Sequence, residues 1–150
     1  MNYETNIIFL LGISFASLLL LNLLVKRNRL KKLDSDIIIN LIINKTLNMS
    51  KGKIISQIAH AISHVLAHMV SNKEIYKNWK KSGKRINIYE GDFGDIEELS
   101  NKAHIFGIKY SKIHDAGRTQ IPSGSNTVLI IGPTSAKICH EWFNYLKLIT

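Results

Sequence analysis

The chain has 150 residues and a formal net charge of +9, enough length for one domain with a hydrophobic core. Its only cysteine is Cys139, which excludes a disulfide framework and a thiolate metal site. Residues 33–150 carry fifteen basic and ten acidic residues, an excess that is compatible with a polyanionic partner but does not identify one.

The first predicted element is a membrane anchor. Residues 7–25 form a 19-residue run without charge, and basic residues follow it directly: Lys26, Arg27, Arg29, Lys31 and Lys32. Such a run is long enough to cross a bilayer as a helix, and the positive flank places the rest of the chain in the cytosol. We therefore predict an anchor at residues 1–25 and a basic tether at residues 26–35.

Two alternatives to the anchor are weaker. A cleaved signal peptide needs basic residues before the apolar run and a small-x-small site after it, and the sequence shows neither. A helix buried in a soluble fold does not need a charge cluster directly behind it.

The remaining elements alternate between strands and helices. A run of β-branched residues predicts a buried strand, and Ser50 is placed to cap the helix that follows. In chain order we predict a strand at 36–43, helices at 51–71 and 73–82, a strand at 85–90, a helix at 93–106, strands at 107–113 and 127–131, and a helix at 135–146. This order predicts an α/β fold, a three-layer α/β/α sandwich with a four-stranded mixed sheet, in a domain at residues 36–150.

A polar loop at residues 115–125, reading DAGRTQIPSGS, joins the last two predicted strands. Polar side chains on a loop held between core strands are typical of a functional site, although turn formers alone also produce such a composition. We expect a site at this loop.

The first cytosolic helix carries polar residues at intervals of three and four: Lys53, Gln57, His60, His64 and His68. At about 100° per residue they occupy a stripe of about 80°. Three interpretations remain open, namely a solvated face, a metal site of histidines four residues apart, and a cleft formed by Lys53, Gln57 and His60 facing the Asp115 loop. The metal interpretation lacks a carboxylate.

Two motifs resemble one family. Residues 49–61, MSKGKIISQIAHA, resemble the M-x-x-G-K-x-A-A-Q-x-x-H-A segment of the type-2 peptidyl-tRNA hydrolases. Residues 115–121, DAGRTQI, with the following GS, TV and GP pairs, resemble the second signature of that family. The resemblance covers residues 36–150 and implies the same four-stranded α/β/α fold.

The resemblance also implies an activity, hydrolysis of the ester between peptide and tRNA in translation quality control, without metal or other cofactor. It implies four catalytic residues: Lys53, Gln57, Asp115 and Thr119. It implies five substrate-binding residues: His60, Arg118, Gln120, Ser125 and Thr127. The expected partners are peptidyl-tRNA, the membrane through residues 7–25, and a second copy in a homodimer.

From these residues we expect direct attack by water, with Asp115 orienting or deprotonating it and Lys53 offsetting charge on the carbonyl oxygen. Gln57 and Thr119 are expected to donate hydrogen bonds that hold the ester.

The chain departs from the family pattern where an R-x-D-L sequence follows the first strand, because Asn44 and Thr46 replace the arginine and aspartate. This departure favours an alternative function, a membrane-tethered adaptor that binds tRNA or protein without turnover. The anchor suits the mitochondrial outer membrane or the endoplasmic reticulum, and the sequence does not choose between them.

Overall fold

The computed structural model describes residues 17, 18, 20, 21, 36–117 and 121–149. The chain divides into two compact units, Met1–Asp34 and Ser35–Thr150, and the strands among the described residues lie in the second. Within the described residues, no helix is both long and apolar enough to cross a membrane. The predicted anchor at residues 7–25 lies outside them except for four helical positions, so the described structure does not support it.

The second unit alternates strands and helices as the sequence predicts. Its elements are β1 (Ile37–Asn44), a 3-10 turn (Lys45–Leu47), α1 (Lys51–Val70), α2 (Lys73–Lys81), β2 (Ile86–Gly91), α3 (Phe93–Ile105), β3 (Tyr110–His114), β4 (Asn126–Ser135), α4 (Ala136–Phe143) and β5 (Lys147–Leu148). The side chain of Ser50 accepts a hydrogen bond from the Lys53 amide, which confirms the predicted cap of α1.

The sheet has five strands in the order β3-β4-β1-β2-β5, so the predicted four-stranded sheet is wrong. The additional strand, β5, pairs with β2. β5 has only two residues and is too short to produce a period-two pattern in the sequence. β1 and β2 are parallel, whereas β4 runs antiparallel to both β1 and β3. The sheet is therefore mixed, as expected.

β1 is buried along its whole length because it lies at the centre of the sheet. Ile38 and Ile42 pack on one face with α3 and α4 in a cluster that contains Leu99 and Phe143. Ile43, on the other face, packs with Ile54 and Ile58 of α1. Because both faces of the sheet are covered, all eight residues of β1 are buried.

The buried face of α1 differs in part from the one that the sequence predicts. Apolar residues recur at intervals of three and four and predict a core-facing stripe of Ile54, Ile55, Ile58, Ile62, Val65, Leu66 and Met69. The buried residues of α1 are Gln57, Ala61, Val65 and Met69, four residues apart. Ile55, which the apolar spacing assigns to the core, is 67% exposed. The helix is therefore rotated so that its buried face continues, at the amino end, into Gln57 and Lys53.

Candidate active site

Two polar side chains occupy the first turns of α1 on its sheet-facing side. Gln57 is buried, and Lys53, one turn earlier, has a side chain that is 13% exposed. Burying a long cationic side chain and an amide requires partners. Those partners come from the loop after β3 and from the start of β4.

The loop after β3 places Asp115. The Asp115 amide donates to the Ser125 carbonyl at 2.9 Å, and the Gly124 amide donates to the Asp115 carbonyl at 2.8 Å. These bonds continue the β3–β4 pairing by one step and hold the main chain of Asp115, whose side chain is 7% exposed.

Gly117 contacts the second carboxylate oxygen of Asp115. Its amide donates to Oδ2 of Asp115 at 3.0 Å, and its φ of +72° is a left-handed conformation. A Cβ at this position would lie 2.5 Å from the Ser123 nitrogen, so glycine is required by space as well as by backbone conformation. Sequence reasoning did not identify Gly117 as a site residue, although an Asp-x-Gly sequence is a signal for such a side-chain turn.

The side chains of α1 and the loop meet at one carboxylate oxygen. Lys53 Nζ contacts Oδ1 of Asp115, and Gln57 Nε2 donates to the same oxygen at 3.1 Å. Gln57 Oε1 in turn accepts from the hydroxyl of Thr127 at 2.7 Å. The four residues form one hydrogen-bonded cluster, which we call the Asp115 cluster.

A β-bulge places Thr127 in this cluster. Ile113 pairs with Val128, but His114 pairs with Asn126, so Thr127 is the extra residue. A bulge redirects a side chain that regular alternation would place on the other face. Thr127 is fully buried, and its hydroxyl lies 3.1 Å from the Ile113 carbonyl as well.

The Lys53 hydrogen bond holds the pKa of Asp115 below its ordinary value, with the Gly117 and Gln57 donors adding to the effect and burial opposing it. Asp115 is therefore a carboxylate at neutral pH. A carboxylate held this way orients a polar molecule well but is a weak base.

Asn44 and Thr46, the residues that depart from the family pattern, hydrogen-bond to each other. Oδ1 of Asn44 accepts from the Thr46 amide at 3.1 Å and from its hydroxyl at 2.6 Å. Nδ2 of Asn44 donates to the Asn126 carbonyl at 3.0 Å. A neutral pair therefore ties the end of β1 to the start of β4.

The remaining predicted site residues are placed as follows. His60 is exposed on α1, and the Ser125 hydroxyl donates to the Pro122 carbonyl at 2.7 Å. Arg118, Thr119 and Gln120 lie outside the described residues. His64 and His68 are exposed, and the described residues contain no group of three potential metal-binding side chains.

Residues 37–149 match the family model described as peptidyl-tRNA hydrolase PTH2. The chain belongs to the PTH2 family. The Asp115 cluster combines both family motifs, because α1 carries the first and the loop after β3 begins the second.

Individual relatives show the same similarity over half of the chain. A Bos taurus protein named "Peptidyl-tRNA hydrolase 2, mitochondrial" is 40% identical over 78 residues, 51% of this chain and 44% of that protein. Peptidyl-tRNA hydrolase 2 of Saccharomyces cerevisiae is 37% identical over 51% of this chain and 38% of its own. A Thermococcus sibiricus peptidyl-tRNA hydrolase is 36% identical over 51% of this chain and 65% of its own. The chain thus spans less than half of the bovine and yeast proteins.

Proposed function

We propose that this PTH2 protein hydrolyses the ester bond that joins a peptide to tRNA in peptidyl-tRNA, thereby recycling tRNA from aborted translation. The observation that carries the proposal is the convergence of Lys53 and Gln57 from α1 with Asp115 from a distant loop at one carboxylate oxygen. The names of the bovine, yeast and archaeal relatives support the same substrate.

The chemistry follows from the charges in the Asp115 cluster. The Asp115 carboxylate accepts a hydrogen bond from water and thereby directs the oxygen of that water at the ester carbonyl carbon. The lowered pKa makes Asp115 better suited to orient the water than to remove its proton completely before attack. Lys53 is positioned to offset the negative charge that develops on the carbonyl oxygen.

One proton moves from water to the ribose oxygen in the proposed hydrolysis. Water adds to the carbonyl carbon, the bond from that carbon to the ribose oxygen breaks, and the proton that water loses ends on the ribose oxygen. The products are a peptide with a free carboxyl group and tRNA with a free terminal hydroxyl.

Gln57 and Thr127 hold the cluster together. The Thr127 hydroxyl fixes the orientation of the Gln57 amide so that its NH₂ group faces Asp115. We assign Gln57 a catalytic role beside Asp115 and Lys53, and Thr127 a positioning role.

The roles of the other family positions are inferred from the resemblance. Thr119 is proposed to donate a hydrogen bond to the ester, and Arg118 and Gln120 to contact the substrate from the same loop. His60 and Ser125 are proposed as further substrate contacts, because His60 is exposed one turn after Gln57 and Ser125 is bonded to the Asp115 backbone.

The test is release of a labelled N-acetyl-aminoacyl group from tRNA by the full chain. The wild type is expected to release the label, and Asp115→Asn to release it at least about tenfold more slowly, about 1.4 kcal/mol of barrier. No release by the wild type, or an unchanged rate in Asp115→Asn, overturns the proposal.

The second candidate is an adaptor that binds tRNA or a protein without turnover. The adaptor is favoured by the loss of the arginine and aspartate of the family's R-x-D-L pattern. The neutral residues Asn44 and Thr46 replace them and join β1 to β4. Tight binding of uncleaved ester substrate by the full chain, with no release, would select the adaptor.

We also propose a membrane anchor at residues 1–25, a basic tether at residues 26–35 and a hydrolase domain at residues 36–150. The support is the uncharged run at residues 7–25 and the basic cluster behind it. Leu18, Leu20 and Leu21 of this run are helical and 58–59% exposed. Flotation of the full chain with vesicles, lost in a variant with aspartates at these three leucines, tests the anchor.

The proposed location is an organelle membrane with the hydrolase domain in the cytosol. The bovine relative has "mitochondrial" in its name, which favours the mitochondrial outer membrane over the endoplasmic reticulum. Asn48 begins an Asn-Met-Ser acceptor sequence and is exposed, so a glycan at Asn48 in cells would contradict the cytosolic orientation.

A further inference from the structure

A groove lies between α1 and β3, on the face of the sheet that α1 covers. It has a volume of about 410 Å³, and the buried residues Val65 of α1 and Ile130 of β4 line it. Its charged and titratable side chains are His64, His68 and Lys109. We call it the His64 groove. Among the described strands, β3 is the outermost on this side of the sheet, so a long molecule can enter the groove along that edge.

The same two elements form the His64 groove and the Asp115 cluster. On α1, His64 and His68 follow Gln57 by seven and eleven residues. At 3.6 residues per turn, both histidines lie within about 20° of Gln57 around the helix, about 10 and about 16 Å from it along the axis. On the other side, β3 carries Ser111 of the groove and leads into the loop that holds Asp115. The groove is therefore continuous with the cluster along one flank of α1.

The pairing of β3 with β4 positions Lys109 beside the groove. The Gly132 amide donates to the Lys109 carbonyl at 2.8 Å, and Ser111 pairs with Ile130. Lys112, the next residue of the strand, forms an ion pair with Glu97 of α3 on the opposite face. Because side chains alternate along a strand, Lys109 and Ser111 belong to the face that α1 covers.

The charge of the groove suits an anion. Its lining contains no aspartate or glutamate, and His64, His68 and Lys109 form no ion pair within the described part of the chain. All three residues are exposed. A lysine ammonium donates hydrogen bonds with a full positive charge, and an imidazole has an N–H donor whether or not it is protonated. Such side chains are the usual contacts to the phosphates of a nucleic acid.

The groove fits the RNA part of peptidyl-tRNA better than the peptide part. In the proposed function the ester lies at the Asp115 cluster, so the RNA and the peptide both extend away from it. A peptide brings no fixed charge, since its sequence varies, whereas every nucleotide of the RNA brings a phosphate. Basic side chains that continue from the cluster along α1 and β3 therefore match the RNA.

We propose that the His64 groove binds the phosphate backbone of tRNA next to its esterified terminal nucleoside, with Lys109 as an ionic contact and His64 and His68 as hydrogen-bond donors. This proposal rests on the proposed function, because it states where the RNA part of that substrate lies. It makes the three residues substrate-binding residues. It also gives a role to the part of the polar stripe of α1 that lies beyond His60.

The first test is hydrolysis of N-acetyl-aminoacyl-tRNA by a double variant of the full chain, His64→Gln with Lys109→Gln. This substrate carries a single amino acid, so a change in its KM reports on the RNA. We expect KM to rise about tenfold and kcat to stay nearly unchanged. The matched control is His140→Gln with Lys137→Gln, two exposed residues of α4, and it should keep the KM of the wild type. An unchanged KM in the groove variant, or an equal rise in the control, overturns the proposal.

Salt dependence and a charge-preserving variant separate a phosphate contact from a change of shape. Each phosphate contact to a single strand contributes about 0.7 to the slope of log affinity against log salt. Lys109→Gln should therefore reduce that slope for tRNA by about 0.7, whereas Lys109→Arg keeps the charge and should retain both the slope and the affinity. Equal slopes in the wild type and Lys109→Gln, or equal losses in the Gln and Arg variants, would contradict the proposal.

Binding of fluorescent deacylated tRNA, which has no ester, separates the groove from the esterase activity. We expect the double variant of His64 and Lys109 to bind this tRNA about tenfold more weakly than the wild type. Weaker binding by the variant, without release of ester by the wild type, keeps the groove and overturns the esterase. Normal release by the wild type, with equal tRNA binding by both proteins, overturns the groove and keeps the proposed function.

Discussion

The Lys53 ammonium and the Asp115 carboxylate, 62 positions apart in the chain, form an ion pair whose side chains are 13% and 7% exposed. In each of the other ion pairs among the described residues, at least one side chain is 40% exposed or more. A pair so well shielded from water is costly to break from one side, because the remaining charge is then uncompensated. Loss of either partner of the Lys53–Asp115 ion pair should therefore lower stability as well as the proposed activity.

Removal of either charge should slow ester release. Lys53→Met and Asp115→Asn are each expected to lower kcat/KM at least about tenfold, because one removes the cation and the other the group that aligns water. The control is Lys147→Met, since Lys147 is 75% exposed and pairs with Glu90 away from the cluster. Steady-state rates close to the wild type in both cluster variants would contradict the assigned roles.

Thr127 should act through Gln57. Thr127→Val keeps the shape but removes the hydroxyl that donates to Gln57, and should cost about 1–3 kcal/mol of unfolding free energy by leaving a buried acceptor unpaired. We also expect a several-fold lower kcat, because the Gln57 amide loses its fixed orientation. Urea unfolding and ester release measure the two effects. Thr127→Ser retains the hydroxyl and should restore both, and its failure to do so would argue for a packing role.

The low pKa of Asp115 predicts the sign of an acid effect. Because the Lys53 hydrogen bond holds the folded-state pKa below the ordinary 3.8, the stability from this contact is complete above that value. It is lost as the pH falls through the lowered pKa. Melting temperatures recorded between about pH 2 and about pH 6 should decline less steeply in Asp115→Asn than in the wild type. Parallel acid declines in the two proteins would exclude Asp115 as the titrating group.

Substitutions of Asn40 should change the stability of the core away from the Asp115 cluster. It is fully buried in β1, its Nδ2 donates to the Cys139 sulfur at 3.2 Å, and its Oδ1 has no partner among the described residues. Asn40→Leu should therefore match the wild type or exceed it by about 1 kcal/mol, because it replaces an incompletely paired amide. Asn40→Ala should lose about 2 kcal/mol by opening a cavity. Chemical unfolding distinguishes them, and a Leu variant weaker than the Ala variant would refute this account.

Most elements of the second unit could be predicted because each has a local cause. Ser50 caps α1 where the sequence predicts it, and β1 is a run of β-branched residues at the sheet centre. The two-residue β5 could not be predicted, because its pairing with β2 depends on tertiary contacts and not on a pattern of its own.

The site was harder to predict than the fold. Lys53, Gln57 and Asp115 do converge, but periodicity grouped Gln57 with His60, whereas the structure buries Gln57 and exposes His60. The apolar spacing of α1 places Ile55 inside and Gln57 outside, and the packing of the helix against the sheet reverses both. The placement of Thr127 depends on a bulge, which one extra residue in a strand produces without a distinctive sequence signal.

The position of β4 between β1 and β3 has a consequence for biosynthesis. β4 follows β1, β2 and β3 in the chain, yet it is the strand that connects the loop carrying Asp115 to the rest of the sheet. A nascent chain that stops before residue 126 lacks the neighbour that holds β3 in place. The proposed ester hydrolysis should therefore appear only after β4 has been synthesised, and chains that stop before it should be inactive.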